Sequence, residues 1–173
     1  MNDLERTQGE GISQNAYNID SEYRLDLSNL DWFVYNDNFG TTEEKRFVKY
    51  FSSKVDELKL KYDDVYLVRN ERNFHIFSFD EGKRFEPDYI LILNKNGSIV
   101  EQQQIFIEPK GEFLLEKDAW KQEFLLQLQE HAECICYDDN NNYKILGLPF
   151  YTHNHANEKT FKDTLERFIE NSK

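Results

Sequence analysis

The chain has 173 residues and a mass of 20.8 kDa, enough for one ordinary domain. It carries 33 acidic against 21 basic side chains, a formal net charge of −12, which excludes nucleic-acid binding through net charge alone. Aromatic residues make up 15%, too many for a disordered chain of this charge, and no apolar run approaches the ~20 residues of a membrane span.

Residues 1–20 are polar and without period, and read as a flexible leader. Met1 to Gly11 lack the basic start and apolar stretch of a signal peptide. Cys134 and Cys136 are the only cysteines, so no disulfide framework exists and a cytoplasmic setting is the expectation. Residues 21–173 read as a single domain. Tyr23 to Phe39 holds apolar residues in irregular order and is expected to pack on the domain without forming its centre.

Thr41 and Glu44 form a capping box. Phe47, Phe51, Val55 and Leu58 follow at helical spacing on one face. Val65 to Val68 and Phe74 to Phe79 are β-branched and aromatic and read as strands, with His75 as a core or edge residue of the second. Pro87 opens a strand over Asp88 to Leu93. Asn94 to Gly97 is a hairpin turn, and the returning strand ends in Gln104 to Gly111. Leu115 to His131 is helical, with Trp120, Phe124 and Leu128 on one face. Glu133 to Tyr137 and Tyr143 to Leu148 are strands, and Glu158 to Ile169 closes the chain as a helix through Phe161, Leu165 and Phe168. The order predicts an α/β or α+β domain with a central sheet covered by helices.

One pair of segments carries chemistry: Glu86-Pro87-Asp88 at the start of one strand and Glu108-Pro109-Lys110 at the end of the next. An antiparallel hairpin brings these ends together, and Glu108 and Lys110 share a face. Asp88 and Glu108 suit a hard cation such as Mg²⁺, with the Pro109 backbone carbonyl as a third protein ligand. The metal would stabilise charge on a scissile phosphate and activate water, and Lys110 would orient or deprotonate that water or offset charge on the phosphate. The bland reading is a strand-start Asp88 and a plain Glu108–Lys110 ion pair.

The stretches Arg84 to Leu91 and Gln104 to Gly111 match the PD-(D/E)XK nuclease superfamily. They resemble most the carboxy-terminal endonuclease domain of the restriction subunit of type III restriction-modification enzymes. The resemblance covers roughly Thr41 to Phe150. It implies a restriction-endonuclease-like core, a mixed central sheet flanked by α-helices, and Mg²⁺-dependent DNA cleavage with Mn²⁺ able to substitute. It further implies an accessory acid on the first helix, matched by Glu44, and a polar residue on the helix after the lysine strand, matched by Lys121 or Gln122. The bland reading of Glu44 is a capping residue, and of Lys121 and Gln122 a solvated helix face.

Such enzymes carry a helicase motor, but this chain has no Gly-x-x-x-x-Gly-Lys-Ser/Thr loop and hence no ATP site. It reads as an excised nuclease domain or a stand-alone relative. DNA is the expected partner, held weakly by a chain this acidic, with a helicase motor and a methyltransferase subunit as further partners. A catalytically silent docking module for such subunits, or an RNA phosphodiesterase, are the alternatives. Cys134-x-Cys136 and His153-x-His155 are too tightly spaced for a structural zinc site. His131 fits the C-terminal end of its helix.

Overall fold

The computed structural model describes residues 11–97, 100–130, 134–138, 141–153 and 155–171. Four helices, α1 (Thr42–Ser52), α2 (Val55–Lys59), α3 (Ala119–Glu130) and α4 (His155–Asn171), accompany seven strands. These are β1 (Asp64–Arg69), β2 (Ile76–Phe77), β3 (Arg84–Phe85), β4 (Tyr89–Lys95), β5 (Val100–Ile107), β6 (Cys134–Asp138) and β7 (Asn141–Gly147). The central sheet has the order β1-β4-β5-β7-β6. Every pairing is antiparallel except β5 with β7, which is parallel because the chain crosses over through α3 between them. The expected mixed central sheet flanked by helices is what forms.

Strand alternation divides the two faces. Tyr89, Leu91 and Leu93 of β4 and Ile105 and Ile107 of β5 enter a large core with α1, α2 and α4. Phe106 points the other way, into a smaller cluster with Phe85, Phe150 and the α3 residues Phe124, Leu125 and Leu128. α3 lies very close to β7 there: a Cβ on Gly147 would stand 2.5 Å from the Leu125 carbonyl oxygen.

The first helix is shorter than its apolar spacing predicts. It stops at Ser52, where the Ser52 and Ser53 hydroxyls donate to the carbonyls of Lys49 and Tyr50 and compete with the helical ladder. Val55 and Leu58 nevertheless reach the core from α2. The strand expected over Phe74 to Phe79 shrinks to β2, which pairs with β3 in a separate two-stranded sheet. His75 is exposed there and meets the Phe77 ring edge-on. β5 gives way to non-strand backbone after Ile107, α3 begins only at Ala119 behind a 3-10 turn at Glu112–Leu114, and Ile169 joins Phe161 and Leu165 as the fully packed face of α4.

The segment before α1 is bound more closely than its irregular pattern suggests. Leu27, Trp32 and Phe33 belong to the main core, and Phe33 bridges Leu67 alongside β1. Residues 1–10 of the expected leader lie outside the described residues, but within 11–20 Gln14 is buried. Its Nε2 donates to the carbonyls of Lys45 and Tyr23, and its Oε1 accepts from Asn38. Cys134 and Cys136 sit on β6. Their side chains, that of His155 and all of His131 lie outside the described ones.

Candidate active site

Register places the two acidic segments side by side. Tyr89 pairs with Ile107, so Asp88 meets Glu108 one step further along the hairpin. By alternation Asp88, Glu108 and Lys110 all face the side of the sheet that α3 covers. The Asp88 N–H donates to Glu108 Oε2 at 3.1 Å, and the Asp88 carbonyl accepts from the Asn70 N–H at 2.8 Å. Beyond Ile107 the chain is held by Tyr151, whose N–H donates to the Glu108 carbonyl while its carbonyl accepts from the Lys110 N–H. This Pro109–Tyr151 bridge turns the Pro109 carbonyl away from Tyr151, and proline's missing N–H costs nothing there.

Glu108 is 1% exposed and fully engaged. Its Oε1 accepts from Lys110 Nζ at 2.8 Å and from Lys121 Nζ at 3.3 Å. Asp118 closes the ring, 2.8 Å from Lys110 and 3.6 Å from Lys121. The ammonium groups also lie over aromatic rings, Lys110 above Phe150 at 6.0 Å and Lys121 above Phe85 at 5.6 Å. Burial alone would weaken the Lys110 ammonium. The charge of Glu108 and the hydrogen bonds to Asp118 and Glu108 outweigh it, so its pKa lies above the ordinary lysine value. Burial likewise works against the Asp118 carboxylate, but its hydrogen bond to Lys110 and the charges of both lysines hold its pKa below the usual range.

Asp88 is the exception. It is partly open to the cleft, and its carboxylate has no hydrogen bond or ion pair among the described residues. Burial raises its pKa well above the usual carboxylate range, and the negative charges of Glu108 and Glu44 add to the rise. Lys110 and Lys121 oppose it without prevailing.

Glu44 approaches from α1, where it completes the capping box and also pairs with an arginine. Its Oε2 accepts from the Thr41 N–H at 2.6 Å, completing the capping box, and its Oε1 takes Arg69 Nε at 3.3 Å. Gln122 does not join the site: its Oε1 accepts from the Phe150 N–H at 3.1 Å and fixes that backbone instead. Lys121 does join. Sequence reasoning missed Asp118 and Arg69. Asp118 stands three residues before Lys121 at ion-pairing spacing, and Arg69 pairs in register with Tyr89, next to Asp88.

The carboxylates border two connected spaces. A pocket of about 380 Å³ is lined by Asp88, Glu108, Lys110 and Lys121 together with Arg84 and Glu86. A wider cleft of about 910 Å³ opens from Asp88 and Lys110 past Thr41, Glu44, Arg69 and Arg72. Among the described residues no three His, Cys, Asp or Glu side chains form a closed metal cage. Asp88 instead offers a hard oxygen donor beside open volume, with the Glu108 carboxylate, held by Lys110 and Lys121, next to it, the donor chemistry of a cation that keeps water and substrate oxygens. The unpartnered Asp88 carboxylate, disfavoured as an anion by its surroundings, is the group that a cation would relieve.

The family model described as HI_1054_C, C-terminal domain, matches residues 18–171. An uncharacterized protein of Haemophilus influenzae (strain Rd) is 39% identical over 147 residues, which is 80% of this chain and 32% of that protein. The chain therefore spans about a third of the length of this curated relative. No solved structure matches it.

Proposed function

The chain belongs to the HI_1054_C C-terminal domain family, and within it we propose a metal-dependent phosphodiester hydrolase acting on DNA, built on a restriction-endonuclease-like core. The observation that carries this reading is the lone Asp88 carboxylate. It lies beside Glu108 and Lys110 at the floor of an open cleft, while the neighbouring charges are paired. Asp88, Glu108 and the Pro109 carbonyl would hold Mg²⁺, or Mn²⁺ in its place. When bound, the metal supplies charge neutralisation at a phosphate and lowers the pKa of water.

The protein's own groups have separable tasks. Lys110, whose ammonium is held by Glu108 and Asp118, would serve as a hydrogen-bond donor and positive charge toward a phosphate oxygen. Lys121 stands behind it, and Asp118 fixes both ammonium groups in place. Arg69 holds the Glu44 carboxylate at the rim, where its charge still reaches Asp88. The setting that fits the sequence resemblance is a type III-like restriction system. There a motor and a methyltransferase subunit would supply the DNA affinity that a net charge of −12 denies this chain.

The test is nicking of supercoiled plasmid with Mg²⁺ or Mn²⁺. Asp88→Ala and Lys110→Ala are expected to reduce nicking at least about 100-fold, the scale of one lost charge-stabilising group, with circular dichroism unchanged. Nicking that is equal in wild type and both variants rejects the reading.

A second reading has its own support. Both Glu108 oxygens are already satisfied by Lys110, Lys121 and the Asp88 N–H, as in a structural knot. A silent docking module for a motor or methyltransferase subunit would keep that knot closed, and calorimetric titration with Mn²⁺ would give no heat dependent on Asp88 and Glu108.

A further inference from the structure

The wide cleft beside Asp88 holds two features that hydrolysis at Asp88 does not use. The first is Arg72. It is the one non-glycine among the described residues with a left-handed backbone, at φ 62°. That conformation is strained for a bulky L-residue, and glycine would adopt it freely. The loop is clamped around it by Asn70, whose Nδ2 donates to the carbonyls of Phe74 at 2.7 Å and Pro87 at 2.9 Å, while its Oδ1 accepts from the Phe74 N–H.

The side chain so presented has no ion pair or hydrogen bond among the described residues. The other arginines and the lysine lining the cleft are paired: Arg46 with Glu43 and Glu22, Arg69 with Glu44 and Glu71, Lys110 with Glu108 and Asp118. A strained position that carries a free cation at a cleft rim points to a ligand anion.

The second feature is Phe113. It also lines the cleft, yet is 53% exposed. Its ring is seated over Gly111, where an added Cβ would stand 3.2 Å from it. The 3-10 turn thus places a half-exposed aromatic ring in the lining of the same cleft as Arg72.

The remaining lining decides which nucleic acid fits. Carboxylates of Asp20, Glu43, Glu71, Glu86 and Glu112 border the cleft in addition to Glu44 and Asp88. A duplex would bring two phosphate rails toward that charge, with Arg72 the one unpaired arginine or lysine among the described residues that line the cleft. One strand needs less: a phosphate on Arg72 and an unstacked base on Phe113.

Resting on the nuclease reading above and narrowing its substrate, we infer that the cleft receives single-stranded DNA, with Arg72 gripping the backbone and Phe113 stacking a base. Fluorescence anisotropy tests this on the full chain without divalent metal. A short labelled single strand of mixed sequence is compared with its duplex over a salt series.

The single strand is expected to bind at least about tenfold tighter than the duplex. Arg72→Gly should lower the slope of log affinity against log salt by about 0.7, one phosphate contact, while melting no lower than wild type because glycine relieves the backbone. Phe113→Ala should weaken single-strand binding roughly 5- to 150-fold, and Phe113→Trp should restore it. Equal affinity for duplex and single strand, or wild-type binding by either the glycine or the alanine variant, overturns the inference. The readout needs no cleavage. Strand binding without cleavage of that same single strand under Mg²⁺ or Mn²⁺ therefore rejects the hydrolase reading alone, and metal-dependent cleavage without strand preference rejects this inference alone.

Discussion

The two faces of the central sheet are built for different ends. One is a broad apolar interface of α1, α2 and α4 on β1, β4 and β5, centred on Phe47, Leu67 and Leu91. The other is a small aromatic cluster under α3, and the charged ring of Glu108, Lys110, Asp118 and Lys121 lies at its margin. On the first face, side chains are exchangeable carriers of buried area. On the second, rings such as Phe85 and Phe150 floor the ammonium groups, so packing and electrostatics share the same atoms. The contrast shows how a chain can bury charge: under α3 the ionised groups form a thin layer at one sheet end, where they satisfy each other.

Three substitutions would break or sharpen that contrast. The largest effect belongs to the broad face. Phe47 is fully buried and touches the rings of Phe51, Tyr89, Tyr151 and Phe161. Phe47→Ala is expected to cost about 3–5 kcal/mol in urea unfolding. A loss under about 1 kcal/mol would mean that this face is not the seat of stability.

The second is Gly147→Ala on the α3 face. The added methyl meets the Leu125 backbone, which cannot rotate away, so a destabilisation of about 1–3 kcal/mol is expected. Because α3 carries Lys121, the variant should also disturb the charged ring, visible as a shift in Lys121 side-chain resonances. An unaltered spectrum would separate packing from electrostatics on that face.

The smallest change in volume is Asp88→Asn. The Asp88 pKa is raised on folding, so between about 3.8 and its folded value the native state holds more protons than the unfolded one. Stability therefore falls as pH rises through that window, and the penalty is fully present above it. Asp88→Asn should melt higher than wild type at neutral pH without divalent metal. The gap should close as pH falls below about 3.8, where both side chains are neutral. A variant that melts lower at neutral pH would show that the carboxylate is stabilising after all.

The candidate site was unusually legible because one local element sets it. The Asn96-Gly97 hairpin joins β4 to β5, and its register alone puts Asp88 opposite Glu108, with Lys110 on the same face. Lys121 was named, together with Gln122, only through the family resemblance; spacing alone left both on a solvated helix face. Gln122, its neighbour, points elsewhere on the helix and serves the Phe150 backbone. Asp118 was hidden because it precedes α3 in a turn, where sequence period gives no direction. The residues Phe74 to Phe79 alternate like a sheet strand, yet the clamp at Asn70 turns the chain out of the sheet before they begin. The division of the first helix was unreadable for a related reason: the apolar spacing continues through the break, and the serine hydroxyls that end α1 act within one turn.

The bridge between Pro109 and Tyr151 has a consequence for the order in which the chain gains structure. Asp88 and Glu108 meet by closing one hairpin, a short loop with a small entropic cost. The hydrogen bond from the Lys110 N–H to the Tyr151 carbonyl instead closes a loop of about 40 residues, which contains α3, β6 and β7. Contacts of that span form against a larger loss of chain freedom than neighbouring strands do. That doubling of loop length favours the meeting of the two carboxylates over the anchoring of the lysine backbone by only about 0.6 kcal/mol. The acids and the cation that balances them are thus brought together at nearly the same entropic cost, although one contact is local and the other spans the crossover.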